Sequence, residues 1–358
     1  MISPRSEQCD SGTGRSWVRV GRVTAGRTIS RVSAPLRQLL ARPVPRRIAS
    51  VSTVAGGSAL LGATASLWAP AAAALDLARS GRRFPLLRGL GFAWAWSSLE
   101  TVGVAAATGL AVTGHGDDAD AHYALQRWWT ARIVDSLRVF ASLRVEVDGL
   151  DALAPGPLVL CSQHVSIIDS LLPAWLLAQV GMRPRFVLKD DLLIDPCLDI
   201  VGHRVPNHFV DRSPDDLDTE LAAFEDLARG MGGHDAAVIF PEGMVVTPER
   251  RAQAFERLRT RDPARADRLS AMEVLAPVRP AGTRALLRGA PDADVAFVTH
   301  RGLESLRRLA DAAQAVPLRD PVRVQVTRCS RRDVPEADAD VAAWLDEQWL
   351  AADGKLSH

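Results

Sequence analysis

His164 and Asp169, in the stretch Gln163-His164-Val165-Ser166-Ile167-Ile168-Asp169, lie between two apolar runs, Pro157 to Cys161 and Leu171 to Leu177. A neutral imidazole delivered at the end of a buried strand and oriented by a carboxylate is a general base. The carboxylate fixes its tautomer and stabilises the imidazolium formed in the reaction. The same letters permit a plainer reading, because Ser166-x-x-Asp169 ahead of an apolar run is a capping-box pattern that starts a helix. Residues five apart on a regular helix are rotated by about 140°. His164 must therefore precede the helix, with Ser166 near its start and Asp169 in its first turn.

Other reactive groups follow in order: Phe209-Val210-Asp211-Arg212, Phe240-Pro241-Glu242-Gly243, and Leu275-Ala276-Pro277-Val278-Arg279-Pro280. Each stands where a strand gives way to a loop, the usual place for a site in an α/β sheet. Together they offer a base, an orienting carboxylate, a second acid and two guanidinium groups. There is no G-x-S-x-G elbow, Walker loop or G-x-G-x-x-G between a strand and a helix. His203, His208 and Asp211 lack a further ligand for a metal site. Cys9, Cys161, Cys197 and Cys329 are scattered, which excludes a zinc ribbon and gives no disulfide framework.

These motifs resemble the glycerolipid acyltransferase family, the lysophosphatidic acid acyltransferases and their relatives (PlsC-like). The H-x4-D block matches at His164 and Asp169, with Ser166 at the small hydroxyl position. Val187-Leu188-Lys189 looks like the family's Lys-containing segment, Asp211-Arg212-Ser213 like its second motif, and Phe240-Pro241-Glu242-Gly243 like the start of its third. Leu275 to Pro280 resembles the fourth motif and Trp344 to Lys355 the C-terminal helix, so the likeness spans about 119–355. It implies His164 and Asp169 as catalytic residues and Ser166, Lys189, Arg212, Glu242, Gly243 and Arg279 at the substrates. No metal or redox cofactor is implied; acyl-CoA or acyl carrier protein enters as co-substrate. The chain departs from the family in one place. Glu242-Gly243 is followed by Met244-Val245, where the family continues Thr-Arg, and neither residue replaces a guanidinium paired with phosphate.

The elements that must position these residues read as one α/β domain over 117–358, a mixed sheet flanked by helices. Strands are expected at 143–147, 157–161, 185–188, 208–210, 236–240, 274–277, 295–298 and 322–326. Helices are expected at 117–141, to about 180, at 215–228, 301–313 and 337–350. Residues 1–47 carry ten Arg against Glu7 and Asp10 and read as a basic, disordered tail. Residues 48–116 read as a hydrophobic hairpin. Ala49 to Leu75 has no charge, and Gly89 to Gly114 has only Glu100. Two full spans would put the basic tail and the Arg79–Arg88 loop on opposite sides of a membrane, against the positive-inside rule. A shallow hairpin in one leaflet, with every Arg at the cytoplasmic headgroups, removes the conflict. A buried helical pair in a soluble fold is the remaining reading.

A net charge of +1 gives no case for nucleic acid. The expectation is acyl transfer to the free hydroxyl of a lysophospholipid at a membrane phospholipid surface, with 1-acyl-glycerol 3-phosphate as first-choice acceptor. The same chemistry on glycerol 3-phosphate, another lysolipid or a glycolipid is an alternative. A non-catalytic lipid-binding protein on the same fold is another.

Overall fold

The computed structural model describes residues 42–166, 168–210, 217–307, 311 and 314–357. Two compact units divide the chain, Met1–Arg46 and Arg47–His358. Of the first, only the residues that open helix α1 (Pro43–Ala63) are described. The tail expected over 1–47 therefore lies almost wholly outside the described residues.

The expected first apolar segment is two helices, α1 and α2 (Ala65–Ser80), bent by 75° at Thr64. The bend frees the Leu61 carbonyl, which accepts the Trp68 indole N–H at 2.8 Å. Among the described residues no single helix is long and apolar enough to cross a membrane. A turn leads to α3 (Pro85–Val112), whose first N–H groups are capped by the buried Asp76 carboxylate, at 3.2 Å from Leu86 and 2.9 Å from Leu87.

One face of α3 packs on protein. Gly91 lies against the Phe140 ring of α4 (Ala119–Ala141), and Gly103 lies against Cys197 of α6 (Pro196–Val201). Between them Glu100 is wholly buried, accepting the Trp129 indole N–H at 2.9 Å and the Cys197 N–H at 3.0 Å. Burial pushes this carboxyl up to about 9, and Asp195 beside it adds to the rise. The lone charge in the second apolar segment thus marks the side that faces protein. Trp94, Val102 and Val112 lie on the exposed remainder.

The sheet has seven strands: β1 (Val145–Asp148), β2 (Leu158–Ser162), β3 (Arg183–Lys189), β4 (His208–Val210), β5 (Asp235–Ile239), β6 (Asp294–Arg301) and β7 (Val322–Cys329). Their order is β1-β7-β6-β2-β5-β3-β4, and only the β6–β7 pair is antiparallel. Every residue of β2 is buried because both faces are covered, which is why its sequence is a continuous apolar run. Leu158 and Leu160 join the core under α4 and α5 (Leu172–Gln179). Val159 and Cys161 join the opposite core with α10 (Pro280–Gly289) and α11 (Asp338–Ser357). Helix α7 (Leu217–Ala228) flanks that side as well.

Three expectations need correction. Val274–Pro277 is not a strand, because its backbone donors go to side chains. Asp353 takes the N–H groups of Glu273, Val274 and Leu275 at 2.6–2.9 Å, and Glu242 takes that of Ala276. The chain between Glu242 and Arg279, read without helices, forms α8 (Pro248–Arg261) and α9 (Pro263–Arg268). Each begins at a proline behind a capping side chain, Thr247 and Asp262. The helix expected from 301 starts later: β6 runs on to Arg301 and a short turn occupies Glu304–Leu306, while Asp311 is helical.

Candidate active site

Parallel strands bring their carboxyl ends to one edge of the sheet, and the reactive residues gather there. His164 lies two residues beyond β2, Glu242 three beyond β5, and Lys189 ends β3 on the far side of β5. His164 Nδ1 lies 2.7 Å from Asp169 Oδ1. Asp169 is wholly buried while the His164 side chain is 17% exposed, so the pair has one buried end and one open end. With Nδ1 donating to the carboxylate, Nε2 is the nitrogen left to take a proton.

The pair meets because the chain here is not helical. Asp169 Oδ2 accepts the N–H groups of Val165 at 2.5 Å and Ser166 at 2.7 Å, closing a turn ahead of α5. The helix starts only at Leu172, with Pro173 in its first turn, so Asp169 precedes it instead of lying within it. Ser166, expected at the substrate, is wholly buried, and its Oγ accepts the N–H groups of Ile168 and Asp169. The Val165 and Ser166 amides are thus committed to Asp169. Burial alone raises the Asp169 carboxyl, but the hydrogen bond from His164 and the neighbouring His164 and His300 rings outweigh it and hold it below the usual carboxylate range.

Glu242 also differs from expectation. It is wholly buried, with Oε2 accepting the His164 N–H at 3.0 Å and Oε1 the Ala276 N–H at 3.0 Å. It therefore holds the backbone at His164, with both oxygens committed to N–H groups. Burial pushes it up to about 8, against the pull of the two N–H donors. The Val246 N–H donates to the His164 carbonyl at 2.6 Å, and Phe240 packs on the imidazole with ring centroids 4.6 Å apart. His164 is thus clamped from both sides by the loop after β5.

That loop also sets the cationic side of the site. Gly243 has φ +68, a conformation other residues rarely adopt, and lies 3.2 Å (measured from an ideal Cβ) from Arg279 Cδ and Nη1. Arg279 N–H donates to the Pro241 carbonyl at 2.8 Å, so this arginine is tied to the same turn. Its guanidinium is drawn below its ordinary value by desolvation and by Arg257 and Arg261 nearby, and none of the three is ion-paired among the described residues. Arg250, Arg257 and Arg261 form a row on α8, within about 20° of one line at helical spacing. Arg250 reaches the Val245 carbonyl at 3.2 Å, whereas Arg251 turns away to the Leu275 and Met272 carbonyls. Lys189 is exposed at the end of β3. Arg212 lies outside the described residues.

Residues 144–278 match the Acyltransferase family model. The chain carries an acyltransferase domain. The match starts just ahead of β1 and includes the dyad, Lys189, Glu242 and Gly243, and stops one residue short of Arg279. Among solved structures the chain is similar to the 1-acyl-sn-glycerophosphate acyltransferase PlsC from Thermotoga maritima. Identity is 12%, the TM-score is 0.42, and the match covers 73% of this chain and 98% of that one. No curated protein matches the chain.

One residue of the candidate site was not singled out in the sequence. His300, wholly buried at the end of β6, faces Asp169 with Nε2 3.5 Å from Oδ2. Nothing local in Val298-Thr299-His300-Arg301 marks it; only the strand order brings β6 beside β2.

Proposed function

We propose that the protein transfers a fatty acyl group from a thioester donor, acyl-CoA or acyl carrier protein, to the free hydroxyl of a lysophospholipid. The observation that carries this reading is the His164–Asp169 pair at 2.7 Å, open to solvent only at the imidazole, within an acyltransferase domain. His164 Nε2 takes the hydroxyl proton as the acceptor oxygen attacks the thioester carbonyl. The C–O bond forms, the C–S bond breaks, and the departing thiolate recovers the proton from the imidazolium. Asp169 stays ionised and balances the imidazolium charge.

Arg279 and the α8 row suit an acceptor bearing a phosphate, with 1-acyl-glycerol 3-phosphate as the first choice. Guanidiniums that have no ion pair among the described residues, beside the loop at Gly243, stand in for the Arg absent at Val245. The exposed apolar side chains Leu60, Leu67, Leu75, Leu77, Leu86, Trp94 and Val112 on α1 to α3 suit a membrane surface. The 75° bend favours helices lying in one leaflet. The basic residues of 1–47 would then meet anionic headgroups on the cytoplasmic face.

Met244-Val245 favours a second reading of the acceptor: the same transfer to glycerol 3-phosphate, a lysolipid with another headgroup, or a glycolipid. One assay separates the readings. Purified protein is given acyl-CoA or acyl carrier protein with a panel of these acceptors, wild type beside His164→Ala. Acyl transfer to lysophosphatidic acid that falls by about 10²–10⁴ in His164→Ala is expected. Near-normal transfer by that variant would overturn the mechanism. Lipid binding without turnover across the panel would point to a non-catalytic protein.

A further inference from the structure

Asp169 has two carboxylate oxygens, and the dyad uses one of them. Oδ1 holds His164, while Oδ2 takes two backbone N–H groups and lies 3.5 Å from His300 Nε2. That separation is within ion-pair range but longer than a hydrogen bond. His300 is wholly buried, and neither of its ring nitrogens has a hydrogen-bond partner among the described residues. Buried polar atoms are nearly always satisfied, so two unsatisfied ring nitrogens beside a carboxylate need a reason.

The sheet explains the placement. Leu158 to Ser162 on β2 pair in parallel with Asp294 to Val298 on β6, residue for residue. Two steps further along the same register His164 stands level with His300. Gln163 holds that step in place: its backbone N–H donates to the Val298 carbonyl at 2.9 Å, and its side-chain Oε1 accepts the His300 backbone N–H at 2.8 Å. The catalytic carboxylate therefore sits between two imidazoles carried by neighbouring strands.

We propose that His300 is a positioning residue of the dyad, with an Nε2–H aimed at Asp169 Oδ2 that fixes the carboxylate and draws off part of the charge it would otherwise place on His164. This role rests on His164 acting as the base of acyl transfer. The charged and titratable groups that meet Asp169 are His164 on Oδ1, His300 on Oδ2, and Glu242 through its field from the loop after β5. Removing the His300 donor leaves more charge on Asp169. His164 then holds its proton more tightly, and the neutral base appears only at higher pH.

The test uses the full-length protein in detergent micelles, with His300→Phe and His300→Gln beside wild type. Histidine NMR follows the His164 ring, and kcat/KM is measured against pH. In His300→Phe the His164 titration and the acid limb of kcat/KM move up together by about half a pH unit, a roughly threefold gain in proton affinity. The acceptor KM stays put. His300→Gln, whose side-chain amide can still donate to Oδ2, returns both to wild type. If His300→Phe does not fold, His300→Asn, too short to reach Oδ2, takes its place with the same expectation. A lower melting temperature with an unmoved titration and acid limb would overturn the proposal. A moved titration in a protein that transfers no acyl group would leave the positioning role standing and remove the acyl-transfer reading.

Discussion

Replacing Glu242 by Gln removes one charge from a wholly buried position and is expected to change how stability depends on pH. Burial places the Glu242 carboxyl at about 8 in the folded chain, against 4.5 as its ordinary value. Between those values the folded chain keeps a proton that the unfolded chain has lost. The stability contributed by this group is therefore complete below pH 4.5 and is lost as pH rises through 8. The change over that window is on the order of 5 kcal/mol. Gln cannot ionise and contributes no such slope. It has a fixed cost instead, because one amide nitrogen meets an N–H donor, that of His164 or of Ala276, and leaves it unsatisfied at about 1–3 kcal/mol. The variant should thus be less stable than wild type near pH 5 and more stable above pH 8, with the curves crossing between. Urea unfolding followed by tryptophan fluorescence at several pH values measures this. Subtracting the two curves cancels Glu100, whose carboxyl is also raised by burial. A wild-type-minus-variant difference that stays constant from pH 5 to 9 would refute the reasoning. The variant should also transfer acyl groups more slowly, since Glu242 holds the His164 backbone.

The remaining predictions concern the base and the cationic side of the site. Asp169→Asn should lower kcat by about 10²–10⁴ with little change in acceptor KM; a loss confined to KM would argue against an orienting role. Arg279→Ala should raise the KM for lysophosphatidic acid about tenfold or more, the loss of one charged hydrogen bond at roughly 1.5–3 kcal/mol, while a phosphate-free acceptor is unaffected. Gly243→Ala should lower the melting temperature, because φ +68 costs a non-glycine residue about 1–2 kcal/mol, and it should weaken phosphate binding by displacing Arg279. Installing Met244→Thr with Val245→Arg should change lysophosphatidic acid turnover less than threefold, or about 0.6 kcal/mol, if Arg279 and the α8 row already hold the phosphate. A larger gain would show that the phosphate was under-held.

Much of the site was legible in the letters. The continuous apolar run of β2 announces a strand covered on both faces, and a His just past it is delivered at a sheet edge. The five-residue interval between His164 and Asp169 excludes a shared helix face, and the structure obeys that with a turn. The cost of leaving amides unpaired decided the roles of the polar residues, and sequence cannot express that cost. Ser166 and Glu242 looked like substrate contacts but are absorbed by backbone N–H groups. The segment at 274–277 looked like a strand until Asp353, nearly eighty residues away, took its donors.

By itself the sequence determined the pairing of His164 with Asp169, the α/β alternation and the two apolar segments, because each depends on residue type and local spacing. Only the tertiary structure decided which face of α3 meets protein, which arginines gather beside Gly243, and that a second histidine stands at Asp169. The physical reason is strand register. His164 and His300 are 136 positions apart in the chain, and only the pairing of β2 with β6 makes them neighbours.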